Sequence, residues 1–169
     1  MSGRYRIETL VRQPGRAAFR SGSETLDRYL HRQASQDVRR RVTACFVAIA
    51  HEAEVISGYY TLSATSIALT QLSEEQAGRL PHYPHIPAAL LGRLAVGLEH
   101  QGRGLGGALL IDALRRASDV EMGVYAMLIE AKDAQAQAFY EHYGFIALQQ
   151  RDARRLMLPM STAKEVMGQ

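Results

Sequence analysis

An α/β fold built on a mixed sheet is what this sequence predicts, and three observations carry that prediction. Thr43 to Ala50, rich in Val, Ile and Phe, and Val55 to about Leu69 flank a short polar turn near His51 to Glu54, which reads as an antiparallel hairpin. From Leu90 onward the pattern changes to strand, glycine turn, helix, strand, helix, strand. A hairpin followed by βαβα units indicates a mixed sheet. The 169 residues, 47% of them apolar, suffice for a hydrophobic core and argue against disorder. No Gly/Ser linker, repeat or long charge run divides the chain, so residues 1–169 are expected to form one domain.

The elements follow in order. Ser23 can cap a helix whose apolar positions Leu26, Tyr29, Leu30, Ala34 and Val38 recur at helical spacing. Cys45 lies inside the apolar strand Ala44-Cys45-Phe46-Val47 and reads as core rather than as an acyl carrier. Ser73 and Gln76 match a capping box for a short helix. Pro81, Pro84 and Pro87 then forbid regular structure through His82-Tyr83-Pro84-His85-Ile86, so the next strand is expected from Leu90 to Gly97. His82 and His85 lack a carboxylate or cysteine at ligand spacing, so no metal is expected there. Gly104 to about Ala117 is amphipathic through Leu105, Leu109, Leu110 and Leu114. Val124 to Glu130 reads as a buried strand, and Asp133 to Tyr143 as a helix closed by a left-handed Gly144. Phe145 to Leu148 and Leu156 to Pro159 supply the last strands, and the tail beyond them carries no structural signal.

The net charge of +3 hides an asymmetry. Residues 1–41 carry ten arginines against Glu8, Glu24, Asp27 and Asp37, a balance of +6, and the remainder stands at −3. Arg39, Arg40 and Arg41 form one cluster, and Arg151, Arg154 and Arg155 another. A guanidinium fork suits phosphate recognition, so a polyanion-binding surface is one reading and a solvated helix face the other. The longest purely apolar run, Ala44 to Ala50, falls far short of the ~20 residues of a membrane helix. The start, Met-Ser-Gly-Arg-Tyr-Arg-Ile-Glu, lacks the apolar stretch of a secretion signal. A single cysteine excludes an internal disulfide. A cytoplasmic protein without a membrane partner is the expectation.

The chemistry concentrates at Gln101-Gly102-Arg103-Gly104-Leu105-Gly106-Gly107, between a strand and a helix. Glycines admit a ligand close to the backbone, and the helix start adds about half a positive charge. Such a turn binds phosphate or pyrophosphate. Gly102, Gly104 and Gly107 fit the dinucleotide pattern G-x-G-x-x-G, with Glu130 ending the following strand. That turn falls late in the chain, however, after a long antiparallel hairpin where a dinucleotide fold would normally begin. A P-loop is excluded because no Gly-Lys-Ser or Gly-Lys-Thr is present.

The same turn also reads Q-x-x-G-x-G through Gln101, Gly104 and Gly106. Downstream, Asp133, Ala136, Tyr140, Gly144 and Phe145 fit N-x-x-A-x-x-x-Y-x-x-x-G-F, with Asp in place of Asn. In these two motifs the sequence resembles the GNAT (GCN5-related) N-acetyltransferases. The resemblance implies a twisted, mostly antiparallel sheet of about six to seven strands with splayed central parallel strands, flanked by about four helices. It implies acetyl-CoA as donor, its pyrophosphate on Gln101, Gly102, Arg103, Gly104, Leu105 and Gly106. It also places Leu94, Ala95 and Val96 along the thioester, and Asp133 and Ala136 near the pantetheine arm. Asp133, where Asn is usual, weakens one polar contact expected there.

Acetyl transfer to an amine needs a neutral amine, a held oxyanion and a thiol leaving group. The resemblance makes Tyr140 the general acid, and the motif spacing selects it over Tyr143. A phenol of pKa about 10 can protonate a thiolate whose own value is about 8.5. Glu99, His100 and Glu130 are candidates for a base, and no spacing singles one out. An α-amine of pKa near 8 is about 10% neutral at pH 7, against ~0.04% for lysine, so a site without a strong base suits the α-amine. An apparent pKa near 6 in a steep pH–rate profile would instead point to a dedicated base.

A narrower likeness covers residues 19–159. Phe19 to Arg41, with Ser21-Gly22 and Leu26-Asp27-Arg28-Tyr29-Leu30, resembles the GNAT toxins of type II toxin–antitoxin pairs. So do Gly58-Tyr59-Tyr60-Thr61-Leu62-Ser63 and Leu90-Leu91-Gly92-Arg93-Leu94-Ala95-Val96. That subgroup acetylates the α-amine on charged tRNA, which stops translation, and is neutralised by a ribbon–helix–helix antitoxin. The likeness places Arg93 beside the reaction centre, facing the tRNA, and admits a homodimer. The alternatives are an ordinary GNAT enzyme acting on a small amine or protein N-terminus, and a non-catalytic acyl-CoA-binding module.

Overall fold

Seven strands form one sheet in the order β1-β2-β3-β4-β5-β7-β6. A computed structural model describes residues 3–13, 15–149 and 154–168. The strands are β1 (Tyr5–Thr9), β2 (Ala44–Ala50), β3 (Ile56–Ala68), β4 (His85–Val96), β5 (Ala126–Glu130), β6 (Ile146–Ala147) and β7 (Arg155–Pro159). The helices are α1 (Glu24–Arg28), α2 (Ala34–Arg39), α3 (Glu74–Gly78), α4 (Leu105–Asp119), α5 (Ala134–His142) and α6 (Met160–Met167). Two compact units can be distinguished, residues 1–63 with 92–113, and residues 64–91 with 114–169.

In the first unit, β2 pairs antiparallel with β1 and with β3, as the hairpin pattern predicts. Ser23 caps α1 by accepting the Leu26 amide at 3.4 Å. A π-helical turn, Tyr29–Gln33, joins α1 to α2 where the spacing predicts one regular helix, and the Ala34 amide there reaches back to the Tyr29 carbonyl. The apolar face of this helical run buries Tyr29, Leu30 and Ala34 against Cys45, Val47, Ile49 and Tyr59. Burial pushes the Cys45 thiol up to about 12, so it stays protonated in the core and has no acyl-carrier character. Gly58 is required on β3 because a Cβ there would lie 2.9 Å from the Ala95 carbonyl oxygen.

In the second unit, β4 runs parallel to β5, pairing Ala88–Leu91 with Ala126–Ile129. The pairing stops there although β4 continues to Val96. The ladder ends with Ile129, one residue before β5 itself ends at Glu130. The strand expected from Leu90 in fact begins at His85, which corrects the reading that three prolines forbid it. Proline has an extended φ and keeps its carbonyl, and Pro87 accepts the Tyr125 amide at 2.9 Å just before the ladder starts at Ala88. The Ser73–Gln76 capping box forms as predicted. Ile67, Ala88, Ala126, Leu128, Leu148 and Met157 make this unit's core. The tail, without signal in the sequence, forms α6 and buries Ala163 and Val166. Among the described residues no helix is long and apolar enough to cross a membrane.

Candidate active site

The glycine turn lies in the first unit, between β4 and α4. Gly102 and Gly104 have φ of +77° and +83°, a left-handed conformation that glycine adopts without penalty. No atom lies within 4 Å of where a Gly102 Cβ would project, so this backbone is open to a ligand. Gln101 closes the turn, its Nε2 donating to the Val96 carbonyl at 2.9 Å and the Ser21 carbonyl at 2.8 Å. The structure thereby joins three predicted features: the end of β4, the turn and the Ser21-Gly22 segment. Arg103 is exposed, whereas Leu105 is buried and anchors the helix start. An open left-handed glycine turn leading into α4 fits the diphosphate of coenzyme A.

Upstream on β4, Leu94 and Val96 are half-buried and Ala95 is buried. Arg93 stacks on Tyr29, its Cζ 3.5 Å from the ring centroid. The Tyr29 hydroxyl donates to Asp37 Oδ2 at 2.9 Å, and Gln33 Nε2 donates to Asp37 Oδ1 at 2.9 Å. Burial, then the bond to Asp37, push the Tyr29 phenol well above the usual tyrosine range. The bond from Gln33, then that from Tyr29, hold the Asp37 carboxyl below its usual value. This arrangement escaped the sequence reading because no local spacing links Tyr29 to β4.

A cavity of about 460 Å³ also opens in the first unit, lined by Arg20, Arg28, His31 and Arg32 with Glu24, Asp27, Gly22 and Leu98. Its two carboxylates are engaged: Glu24 with Arg28 at 2.7 Å, and Asp27 with the Ser21 amide and hydroxyl at 2.9 and 2.6 Å. Arg20 and Arg32 have no carboxylate partner among the described residues, so the cavity keeps an excess of positive charge. Arg39, Arg40 and Arg41 are exposed at the end of α2. Of the second predicted cluster, Arg151 lies outside the described residues, and Arg155 Nε stands 3.5 Å from Glu130.

The second unit carries the other motif. Asp133 caps α5, its Oδ1 accepting the Ala136 amide at 2.8 Å, so this side chain has a structural task that its motif position did not reveal. Gly144 closes the helix at φ +97° as predicted. Tyr140 is 8% exposed and packs edge-on against Phe139 and Phe145 at centroid distances of 5.0 and 5.5 Å. Its hydroxyl has no hydrogen-bond partner among the described residues, and burial alone pushes its phenol above the usual tyrosine range. It therefore holds its proton at neutral pH. Tyr143 is less buried and meets Phe139 edge-on.

The base candidates stay apart in character. His100 Nδ1 pairs with the Tyr5 hydroxyl at 2.8 Å, and burial together with Arg103 lowers its pKa. Glu99 and Glu130 are exposed. Among the described residues no group of three or more His, Cys, Asp or Glu is placed to hold a metal.

Known proteins share both the sequence and the fold. An acetyltransferase (GNAT) domain model matches residues 20–163. A tRNA-acetylating toxin of Mycobacterium tuberculosis (strain ATCC 25618 / H37Rv) is 36% identical over 154 residues, spanning 89% of each chain. The structure of AtaT complexed with acetyl-methionyl-tRNAfMet superposes with a TM-score of 0.88 at 25% identity, covering 96% of this chain and 98% of the other. That of AtaTR bound with AcCoA gives 0.83 at 25% identity, covering 97% and 98%. The family model spans most of the chain, and this chain belongs to the GNAT family of acetyltransferases, with acetyl-CoA as its acetyl donor.

Proposed function

We propose that this protein transfers an acetyl group from acetyl-CoA to the α-amine of the amino acid on charged tRNA, and so blocks translation. The acceptor assignment is carried by the likeness, along nearly the whole chain, to a tRNA-acetylating toxin. The basic cavity of the first unit is in keeping with it, because arginines seat RNA phosphates without reading sequence. So is the lack of a well-placed strong base, which an α-amine tolerates far better than a lysine side chain does. A cytoplasmic setting follows from where charged tRNA and acetyl-CoA occur. A ribbon–helix–helix antitoxin and self-association as a homodimer are inferred from the resemblance alone.

Acetyl-CoA, when bound, supplies an activated acyl carbon and a sulfur leaving group. Gln101, Gly102, Arg103, Gly104, Leu105 and Gly106 hold its diphosphate through the open turn. The backbone of Leu94, Ala95 and Val96 donates to the carbonyl oxygen as that atom gains charge. Ala136, at the start of α5, lines the pantetheine arm, and Asp133 fixes that helix end. Arg93 orients the charged tRNA. Tyr140 gives its phenolic proton to the departing sulfur, a task its partner-free hydroxyl suits, and the proton that the attacking amine nitrogen loses restores the phenol. All residues 1–169 serve one catalytic domain in this reading.

The test is labelled-acetyl transfer from acetyl-CoA to a pool of charged tRNA, beside uncharged tRNA, free amino acids, polyamines and a peptide panel. Label on charged tRNA alone is expected. Label on peptides or polyamines instead would keep the enzyme class and remove translation as its target.

A further inference from the structure

The π-helical turn between α1 and α2 is the feature that the reaction, as described, leaves unexplained. An ordinary helix over this span would satisfy the apolar spacing of Leu26, Leu30 and Ala34. The chain instead widens over Tyr29–Gln33, and single π turns are frequent at functional sites. This turn opens on Tyr29. Its ring is 7% exposed, and it stacks on Tyr59 at a centroid distance of 6.4 Å and an interplanar angle of 17°. The Tyr59 hydroxyl in turn donates to the Leu26 carbonyl at 2.6 Å, which ties that ring to α1. The Arg93 guanidinium lies over the Tyr29 ring. At its far end the phenol is anchored by Asp37, and Asp37 by Gln33, the last residue of the π turn.

Arg93 forms no hydrogen bond or ion pair among the described residues, so the Tyr29 ring is what holds it. A guanidinium over an aromatic face keeps its N–H groups in the ring plane's direction and unspent, free to donate to a bidentate acceptor. We propose that Tyr29, anchored by Asp37, is the positioning residue that presents Arg93 to the charged tRNA. This rests on the reading of Arg93 as a substrate contact. Tyr29 acts through Arg93 and touches no reacting atom. Asp37 contributes twice, tethering the phenol and attracting the Arg93 guanidinium electrostatically.

A double-mutant cycle tests this on the whole enzyme. Tyr29→Phe keeps the ring and removes only the Asp37 tether, and Asp37→Asn removes the charge while keeping shape, so both are expected to fold. Each is expected to lower kcat/KM for charged tRNA by about three- to tenfold, through KM, and to leave the KM for acetyl-CoA unchanged. In an Arg93→Ala background the same substitutions are expected to cost nothing further. An equal loss in both backgrounds, or no loss while Arg93→Ala alone impairs the enzyme, would overturn the positioning role and leave Arg93 standing. Wild-type kcat/KM for charged tRNA in Arg93→Ala itself would instead remove the substrate role of Arg93 on which the proposal rests.

Discussion

The two units hold their functional side chains by opposite means. In the first, polar groups are braced by other polar groups: Gln101 spans the Val96 and Ser21 carbonyls, and Arg93 leans on a tyrosine that Asp37 tethers. In the second, Tyr140 is held by apolar packing alone, wedged between Phe139 and Phe145 with its hydroxyl unpartnered among the described residues. In the proposed reaction this contrast matches two kinds of work. Binding a diphosphate and a nucleic acid calls for fixed charges and amides, and those must be tied down to be preorganised. Delivering one proton, the task proposed for Tyr140, calls for a hydroxyl that is not already committed to another acceptor.

The largest effect that sharpens this contrast is expected at Tyr140. Tyr140→Phe keeps the packing and removes only the hydroxyl, so transfer should fall about 10²- to 10⁴-fold while acetyl-CoA binding by calorimetry holds. A binding loss of the same size would make Tyr140 an architectural residue. In the first unit, Gly104→Ala forces a left-handed alanine at a cost of about 1–2 kcal/mol. It should raise the KM for acetyl-CoA about tenfold in steady-state assays, with the acceptor KM unmoved.

Smaller effects test the electrostatic side. Arg20→Ala with Arg32→Ala should weaken charged-tRNA binding and flatten its salt dependence, the log–log slope falling by about one for each phosphate that is no longer neutralised. Parallel salt curves would take the cavity out of the RNA surface. Asp133→Ala removes the cap of α5, about 1 kcal/mol or roughly 2–4 °C in Tm. Asp133→Asn should cap equally well and leave Tm unchanged, since Asn and Asp are comparable N-caps.

The smallest concerns pH. The folded-state pKa of Asp37 is lowered, so its contribution to stability is present above the unfolded value and lost as pH falls below about 4. His100 is lowered too, and as a base it disfavours the fold once protonated, so stability should decline as pH falls below the ordinary imidazole value of about 6.5. Denaturant midpoints from pH 8 to pH 3 should show both steps. Asp37→Asn should flatten only the acid one, and His100→Gln only the upper one.

Features whose cause lies within a few residues were legible in the sequence. Ser23, the Ser73–Gln76 box and left-handed Gly144 all act on backbone groups three or four positions away, and each forms as predicted. The core strand around Cys45 was equally plain from its composition. Proline misled where its two properties separate: Pro87 gives up a donor yet keeps an extended φ and a useful carbonyl, so β4 starts at His85. Strand β1 is a short alternation, Tyr5 to Thr9, that gains meaning only from the pairing partner β2. Helix α6 carries no cap of its own and is fixed by the core that buries Ala163 and Val166.

At the site the division is similar. The glycine turn and the tyrosine motif are contiguous strings and could be read directly. The Arg93–Tyr29–Asp37 stack joins a strand to a widened helical turn, and a 3.6-residue periodicity cannot show an extra residue in that turn. Asp133 was visible as a motif position, but its capping of Ala136 depends on where α5 begins.

The central claim concerns one nitrogen atom, and mass spectrometry of the aminoacyl end reads it directly. Charged tRNA treated with the enzyme and acetyl-CoA, then digested with ribonuclease, should release aminoacyl-adenosine heavier by one acetyl group, with fragmentation placing that group on the α-amine. The Tyr140→Phe enzyme should release it unmodified. Unmodified aminoacyl-adenosine from the active enzyme, with the acetyl group found on a free amine or a protein N-terminus, would contradict the assignment.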